Sequence, residues 1–498
     1  MAEIRSGVYY DSVSLMQVSR KVSTVPGVDA ALIAMATQLN VELLVGMGFD
    51  VPDGAAPNDL IVAIRAVDDA ALDAAATALE GALAALTAAR PGTESRADKP
   101  PRTTRSAARR SGGNLALISV PGQHAFPEAM DALEAGLDVM IFSDNVPVAQ
   151  ELALKREAAR RGRLVMGPDC GTAFVSGVGL GFANAVRASS TGRGVGIVAA
   201  SGTGAQQLSC LLDHAGIRVS HILGVGGRDI SSDIGALSTL QALRLLDSDP
   251  STSHVVVVSK PPAQEVADVV VSAGVHLSKP VSYAFLGRGQ ADLTQLAEQV
   301  IQAVAGTPPA WPVWRSPEPQ APRQGFLRGL FAGGTLADEA MVIAADAFDG
   351  SPILSNIPLR PDWVLPVDLQ ASGHIVIDFG DDALTQGRAH PMIDPMLRLE
   401  RLAAEAKDPG TAVVLMDVVL GFGADPDPAA SLAPAIHAAR TVTEGDGRDL
   451  AVVVSLCGTS ADPQGLERQA DALATAGATV HLSNAAATRY AVGLIEGR

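Results

Sequence analysis

The stretch Ser201-Gly202-Thr203-Gly204 stands between an apolar run, "GVGIVAA", and a helical pattern, "AQQLSCLLDHAG". Glycine lets another group approach the backbone, and a helix start offers unpartnered N–H groups and the positive end of the helix dipole. An anion is the simplest occupant. The same residues also suit an ordinary strand-to-helix turn, with Ser201 or Thr203 as N-cap. A second glycine loop, "GVGGRDIS", carries Gly226, Gly227 and Arg228 and offers substrate contacts with a fixed cation; Asp229 there could equally cap a helix. The densest polar cluster is "DFGDDALTQGRAHPMIDP", residues 378–395. In it Arg388 could pair with a substrate carboxylate and His390 could act as a general acid. Alternatively His390 pins a proline turn. Asp378, Asp381 and Asp382 cap the next helix or hold Mg²⁺, which is possible though no metal site is expected. Asp169 and Cys170 lie at a strand end, and a nucleophilic Cys170 would need a base beside it to lower its pKa. None is adjacent, so a small buried residue is the default.

The composition sets bounds on this chemistry. The chain has 498 residues, a formal net charge of −17, 47% hydrophobic residues and 4% aromatics. The charge argues against a nucleic-acid partner, because phosphate backbones are bound by clusters of Lys and Arg. Three cysteines, Cys170, Cys210 and Cys457, are far apart and read as buried thiols of a reducing compartment. The first residues lack a signal-peptide pattern, and no apolar run reaches about 18 residues. The expectation is a soluble, cytoplasmic protein that does not engage a membrane.

Those residues need elements to position them. In the first 90 residues, "GVYYDSV", "DAALIAMA" and "DLIVAIRA" read as strands, and "SLMQVSRKVSTV" and "DDAALDAAATALEGALAAL" as helices. Antiparallel strands crossed by two helices suggest a small ferredoxin-like or regulatory-type domain. Residues 91–113, with six basic and two acidic residues, and residues 306–324, with six prolines, read as linkers. From Asn114 onward apolar strands alternate with helices, which means parallel sheets with right-handed crossovers. Gly, Ser, Thr and Asp gather at the carboxyl ends of those strands, where such sheets bind ligands. The blocks on either side of the second linker echo each other, a weak internal duplication.

"VMGPDCGTA", "GRGVGIVAASGTGAQQLSCLLDHAGI" and "GVGGRDIS", in that order, resemble the α subunit of succinyl-CoA synthetase. "HIVIDFGDDAL", "VVLMDVVLGFGADPD" and "VVVSLCGTSADPQG" resemble the carboxyl-terminal domain of its β subunit. The fused arrangement, with a small first domain and "HPMIDP", is similar to the FdrA family, which is associated with oxamate carbamoyltransferase. The resemblance implies an α/β protein: a ferredoxin-like domain (1–90) and a linker (91–113), then three flavodoxin/Rossmann-like blocks. These are a truncated CoA-binding-like block (114–192), a synthetase-α-like block (193–305) and, after the Pro-rich linker (306–324), a synthetase-β-like block (325–498). No ATP-grasp domain is expected. It also implies that two helix starts face each other across a phosphate: Ser201 to Gly204, and a second near Gly421, Phe422, Gly423 and Ala424, with Gly458 and Thr459 on the neighbouring strand end. Asp169 would lie near the same cleft.

The sequence departs from the synthetases in three places. No G-x-G-x-x-G precedes "NLALISV", no P-loop is present, and the stretch "LRGLFAGGTLADEA", matched to the phosphohistidine position, carries no histidine. The resemblance therefore implies a carbamoyltransferase subunit. It would move a carbamoyl group between a small ureido acid such as oxalurate and phosphate, with phosphate as co-substrate and no required cofactor. Companion subunits or a homo-oligomer are expected. The alternatives are an acyl-CoA or acyl-phosphate ligase subunit with a nucleotide-binding partner, and a non-catalytic scaffold or effector sensor.

Overall fold

A computed structural model describes residues 1–8, 10, 12–50, 54–88, 101–187, 194–315, 321–385 and 388–495. The chain divides into two compact units: Met1–Arg102 with Thr385–Ala389, and Thr103–Leu384 with His390–Arg498.

In the first unit, strands Ala2–Arg5, Leu60–Ala66 and Val28–Met35 form an antiparallel sheet with Leu60–Ala66 in the middle. That strand reads "LIVAIRA" because both its faces are covered. Leu60, Val62 and Ile64 pack with helices Ser12–Ser23 and Asp69–Ala88, and Ile61 and Ala63 with Leu44 of helix Gln38–Gly46. The arrangement is ferredoxin-like, with two differences from the sequence reading. The first strand is Ala2–Arg5 rather than "GVYYDSV", whose residues 9 and 11 lie outside the described ones. The helix Gln38–Gly46, capped by Thr37, was not foreseen.

The described residues of the larger unit form three sheets. Leu115–Ile118, Asp138–Ile141 and Val165–Met166 form a short parallel one. The six-stranded sheet runs Val281–Phe285, Thr252–Ser259, Gly194–Ala199, Val219–Gly224, then the hairpin Thr172–Val175 and Val178–Gly181. Its first four strands are parallel, and the hairpin joins antiparallel. This hairpin crosses the boundary expected at 192/193, because Phe174 and Val175 pair with Ile222 and His221. The seven-stranded sheet runs Val313–Trp314, Ala478–His481, Ala451–Cys457, Thr411–Val419, Phe326–Phe331, His374–Asp378, Ile353–Ser355, with only Val313–Trp314 antiparallel.

Both expected linkers contain structure. Residues 91–100 lie outside the described ones, but Thr104–Ser111 is a helix with a Thr103/Ser106 capping box. Arg105 on it is not solvated alone; its Nε donates to Asp131 at 3.0 Å. In the Pro-rich segment, whose residues 316–320 are outside the described ones, Val313–Trp314 adds an edge strand, the position in a sheet that nearby prolines tolerate.

One apolar core spans the six- and seven-stranded sheets. Helix Gly202–His214 brings Leu208 and Leu211 to it, helix Gly334–Ala347 brings Leu336 and Met341, and helix Asn484–Gly493 brings Ala487 and Ala491. In each sheet the strand order reverses at one place. Gly194–Ala199 lies between Val219–Gly224 and Thr252–Ser259, and Phe326–Phe331 between His374–Asp378 and Thr411–Val419. A crevice opens at the carboxyl end of such a strand.

Candidate functional site

Each of these two strands leads straight into a helix. After Gly194–Ala199, Ser201 adopts an extended N-cap conformation, and its Oγ accepts the Gly204 N–H at 3.0 Å. The N–H groups of Gly202 and Thr203 take no partner among the described residues. After Phe326–Phe331, Gly333 is the N-cap of helix Gly334–Ala347 and supplies no capping side chain. The buried carboxylate of Asp417 holds this turn instead, accepting from Ala332 N at 2.7 Å and Gly333 N at 2.8 Å. Arg398, itself buried, donates to Asp417 Oδ1 at 3.0 Å.

The two helix starts touch. Ser201 Oγ lies 2.6 Å from Thr335 Oγ1. A Cβ on Gly333 would stand 2.8 Å from Thr203 Cγ2, and one on Gly204 would stand 2.6 Å from Ser201 Oγ. A side chain at either place would force the neighbouring residue to shift. The facing pair is thus Ser201–Gly204 with Gly333–Leu336, two positively polarised helix ends side by side.

The expected second start, Gly421 to Ala424, is not a helix start; the helix after it begins at Pro428. Gly421 donates its N–H to Gln464 Oε1 at 3.1 Å, Phe422 donates to Ala183 O at 2.8 Å, and a Cβ on Gly421 would collide with Ala183 O. Gly423 packs on Phe182, and Gly458 on Leu420. Thr459 donates its hydroxyl to Ala185 O at 2.9 Å and its N–H to Asp462 at 2.7 Å. Gly421, Phe422 and Thr459 hold the 183–185 segment, and the N–H groups of Gly421 and Thr459 are spent on Gln464 and Asp462. The glycine-rich strand end misled because its turn runs on before the next helix begins. The sequence signal for the true partner was "AGGT", which repeats the small-residue pattern of "ASGT".

Two strand ends and one helix bring charge to this place. Lys260 follows Thr252–Ser259, and its Nζ lies 3.0 Å from Asp338 Oδ2. Burial pulls the Lys260 pKa down, but Asp338, Asp378 and Asp381 outweigh it and hold the ammonium above its ordinary value. Asp378 ends the strand His374–Asp378 and is pushed up to about 7 by burial, with Asp417 and Asp338 adding to this and Lys260 and the Gly380 N–H opposing it. A Cβ on Gly334 would stand 2.5 Å from Asp378 Oδ2 and 3.4 Å from Lys260 Nζ. Lys260, Asp338, Asp417 and Thr335 were not foreseen; a single lysine after a strand has no local pattern.

His390 is half-buried, with its ring 5.6 Å from that of Phe182. Its Nδ1 accepts the Met392 N–H at 3.2 Å, so the ring proton sits on Nε2. Burial, then Arg398, lowers its pKa to about 4. At neutral pH it is an uncharged donor, and the imidazolium that acid catalysis would draw on is not the prevailing form. Arg388 is exposed and falls in the Thr385–Ala389 segment of the first unit, and His390 opens the next segment of the second. Cys170 is buried and its thiol is pushed up to about 12 by burial, which removes the nucleophile reading.

Asp169 is exposed, with a backbone φ of 55°; burial of its surroundings, then Asp382 and Asp144, raises its pKa against Arg228 and Lys260. Arg228 is tied to Val146 O at 2.7 Å and Glu151 Oε2 at 2.9 Å. Its loop turns tightly at Gly226, where a Cβ would meet Pro168 O at 2.5 Å, while Gly227 is exposed. Beneath it Asp229 accepts from Ser238 N and Thr239 N at the start of helix Leu237–Ser248 and pairs with buried Lys155 at 2.8 Å. Among the described residues no three of His, Cys, Asp and Glu converge as metal ligands would, and no helix is long and apolar enough to cross a membrane.

Comparison with known proteins agrees with this layout. A family described as CoA-ligase matches residues 330–494, and one described as AllF, heavy metal-associated domain, matches residues 1–100. The chain is 39% identical to the uncharacterized protein YahF of Escherichia coli strain K12 across 95% of this chain and 94% of that one. It is 30% identical to the succinate–CoA ligase [ADP-forming] subunit alpha 2 of Archaeoglobus fulgidus over 182 residues, 36% of this chain and 61% of that subunit. It thus spans about three fifths of that subunit. The dinucleotide forming acetyl-coenzyme A synthetase 1 of Ca. Korarchaeum cryptofilum aligns over 82% of this chain and 90% of that one at 16% identity and a TM-score of 0.30, too loose to transfer any feature. The first 100 residues contain neither Cys nor His, so no thiolate or imidazole metal site can be built from them. The G-x-G-x-x-G loop that would seat a dinucleotide-like CoA is likewise missing after Leu115–Ile118, where Ser119-Val120-Pro121 leads into helix Gly122–Glu134. Match along nearly its whole length to one relative, and of its two ends to these two families, together mean that the chain belongs to the CoA-ligase, succinyl-CoA-synthetase-like superfamily, with an AllF-like amino-terminal domain consistent with the FdrA family.

Proposed function

We propose that this chain is the anion-holding subunit of an enzyme acting on an acyl-phosphate or CoA-type substrate, with a companion chain supplying nucleotide chemistry. One observation carries this reading: two helix starts at two topological switch points face each other, with unpartnered N–H groups and Lys260 beside them. Such a pair favours a phosphoryl group without a fixed countercharge for every oxygen. Phosphate held about 3–3.5 Å from an activated carbonyl is itself the nucleophile, so positioning is the main catalytic demand. The resemblance to succinate–CoA ligase α subunits supports the substrate class.

The carbamoyl form of the same chemistry is favoured by the side chains at the two first turns, which are Ser201, Thr203 and Thr335, with no histidine to carry phosphate. Phosphate oxygen would bond directly to the carbamoyl carbon of oxalurate as its bond to the oxamate nitrogen breaks. That nitrogen takes a proton, and carbamoyl phosphate and oxamate leave.

The test uses the purified chain, alone and with companion subunits, and the variant Ser201→Glu, which places a carboxylate where the anion would sit. Phosphate-dependent acyl phosphate formation from a CoA thioester, lost in the variant, supports the first form. Carbamoyl phosphate from oxalurate, lost in the variant, selects the second. If no combination turns over and phosphate gives no thermal protection, the anion-holding reading falls and a scaffold remains.

A further inference from the structure

Asp378 stands where a carboxylate and an incoming anion would compete for one helix end. The Asn356 side chain pins the strand tip, donating to Asp378 O at 2.8 Å and accepting its N–H at 3.0 Å. Asp378 Oδ1 accepts the Gly380 N–H at 2.9 Å. Oδ2 takes no hydrogen bond from any described residue, although the residue is only 5% exposed, and it lies against the first turn of Gly334–Ala347. That position is possible only because residue 334 has no side chain.

The groups around Asp378 come from four elements. Lys260 follows the strand Thr252–Ser259 and is already paired with Asp338 of the second helix. Asp417 lies on Thr411–Val419 and is neutralised by Arg398. Asp381 is on the loop that follows. His390 Nε2 and Asp378 Oδ1 would stand 2.8 Å and 3.2 Å from the same point, a Cβ on Gly380. One ammonium therefore serves two carboxylates, and a bound dianion would add a further negative charge next to Oδ2.

We propose that binding of a tetrahedral dianion at the two helix starts is coupled to uptake of one proton by Asp378, which then offers the anion an O–H donor in place of a negative charge. This rests on the anion-holding reading above. A protonated carboxyl both removes the repulsion and supplies a hydrogen bond. The proton is available near neutrality, because burial has already raised this carboxyl to about 7. His390, lowered to about 4 by its own burial, stays uncharged over the same range. Lys260 stays charged, its carboxylate neighbours outweighing its burial.

The experiment titrates the full chain with sulfate by calorimetry, because sulfate itself does not change charge between about pH 5.5 and 8.5. The expected result is an affinity that falls about tenfold per pH unit above about pH 7. Two buffers of different ionisation heat should report about half a proton taken up per sulfate at about pH 7, rising to one proton above it. The isosteric Asp378→Asn should bind sulfate with an affinity independent of pH. Sulfate binding with no proton uptake overturns the coupling and leaves the anion-holding reading standing. So does a pH dependence that survives in Asp378→Asn and disappears in Asp169→Asn. No sulfate binding at any pH overturns the anion-holding reading, and the coupling with it. If Asp378→Asn does not fold, the buffer comparison on the unaltered chain and on Asp169→Asn decides: uptake that persists in Asp169→Asn supports the coupling, and uptake lost there overturns it.

Discussion

Replacing Gly333 by alanine tests whether the two helix starts truly meet. The backbone of Gly333 (φ −112°, ψ 110°) suits any residue, so alanine there carries no conformational strain. Its Cβ, however, would stand 2.8 Å from Thr203 Cγ2 and 3.0 Å from both Thr203 Cβ and Oγ1. Thr203 is buried at the first turn of its own helix, so relief requires the turns to separate. Overpacking of this kind costs about 1–3 kcal/mol. Gly-to-Ala stiffening of the unfolded chain returns about 0.4–1 kcal/mol, leaving a net loss of roughly 1–2 kcal/mol. For a cooperative unit the size of Thr103–Leu384 with His390–Arg498 that is a fall in melting temperature of roughly 1–3 °C, taking about 2.1 cal/mol/K of unfolding entropy per residue. Thr203→Gly removes every crowded atom except backbone, so in the double variant the clash should vanish. Thermal unfolding of the four proteins gives the coupling, which should be at least about 1 kcal/mol favourable in the double variant. Strict additivity of the two substitutions would refute the contact and with it the facing arrangement.

Lys155 makes a second test. It is fully buried between Glu151, Asp229 and Val225 O, and Lys155→Met would leave buried Asp229 without its countercharge and Glu151 with Arg228 alone. The loss should be about 3–5 kcal/mol in urea unfolding, and a loss below about 1 kcal/mol would show that water reaches the site. His390 offers a pH test. Its folded pKa lies below its unfolded value, so its contribution is present above about pH 6.5 and is lost as pH falls through about 4. Nitrogen NMR at pH 6 should find the ring neutral and protonated at Nε2; an imidazolium signal there would contradict the burial described.

Much of the architecture was legible because its physics is local. Apolar strands such as "AVVVSLC" and "GVGIVA" read as buried parallel strands, and they are. The start at Ser201 was legible from small residues between a strand and a helix. Its partner was not, although "FAGGT" repeats the pattern, because glycines at 421 and 423 gave a competing signal that serves backbone crowding against Ala183 and Phe182. The hairpin Thr172–Gly181 could not be assigned to its sheet, since its pairing partner, Val219–Gly224, comes far later in the chain. The polar cluster after residue 378 was visible as composition. The state of its members was not: burial fixes the charge of Asp378 and His390, and burial is a property of the folded chain.

The facing helix starts, at Ser201 and Gly334, are carried by one polypeptide. Their encounter is unimolecular, with an effective concentration set by covalent connection and by the core they share rather than by the amount of protein present. Dilution cannot separate them. A site assembled in this way keeps its geometry from the first molecule synthesised, and any companion subunit is free to come and go without taking half of it away.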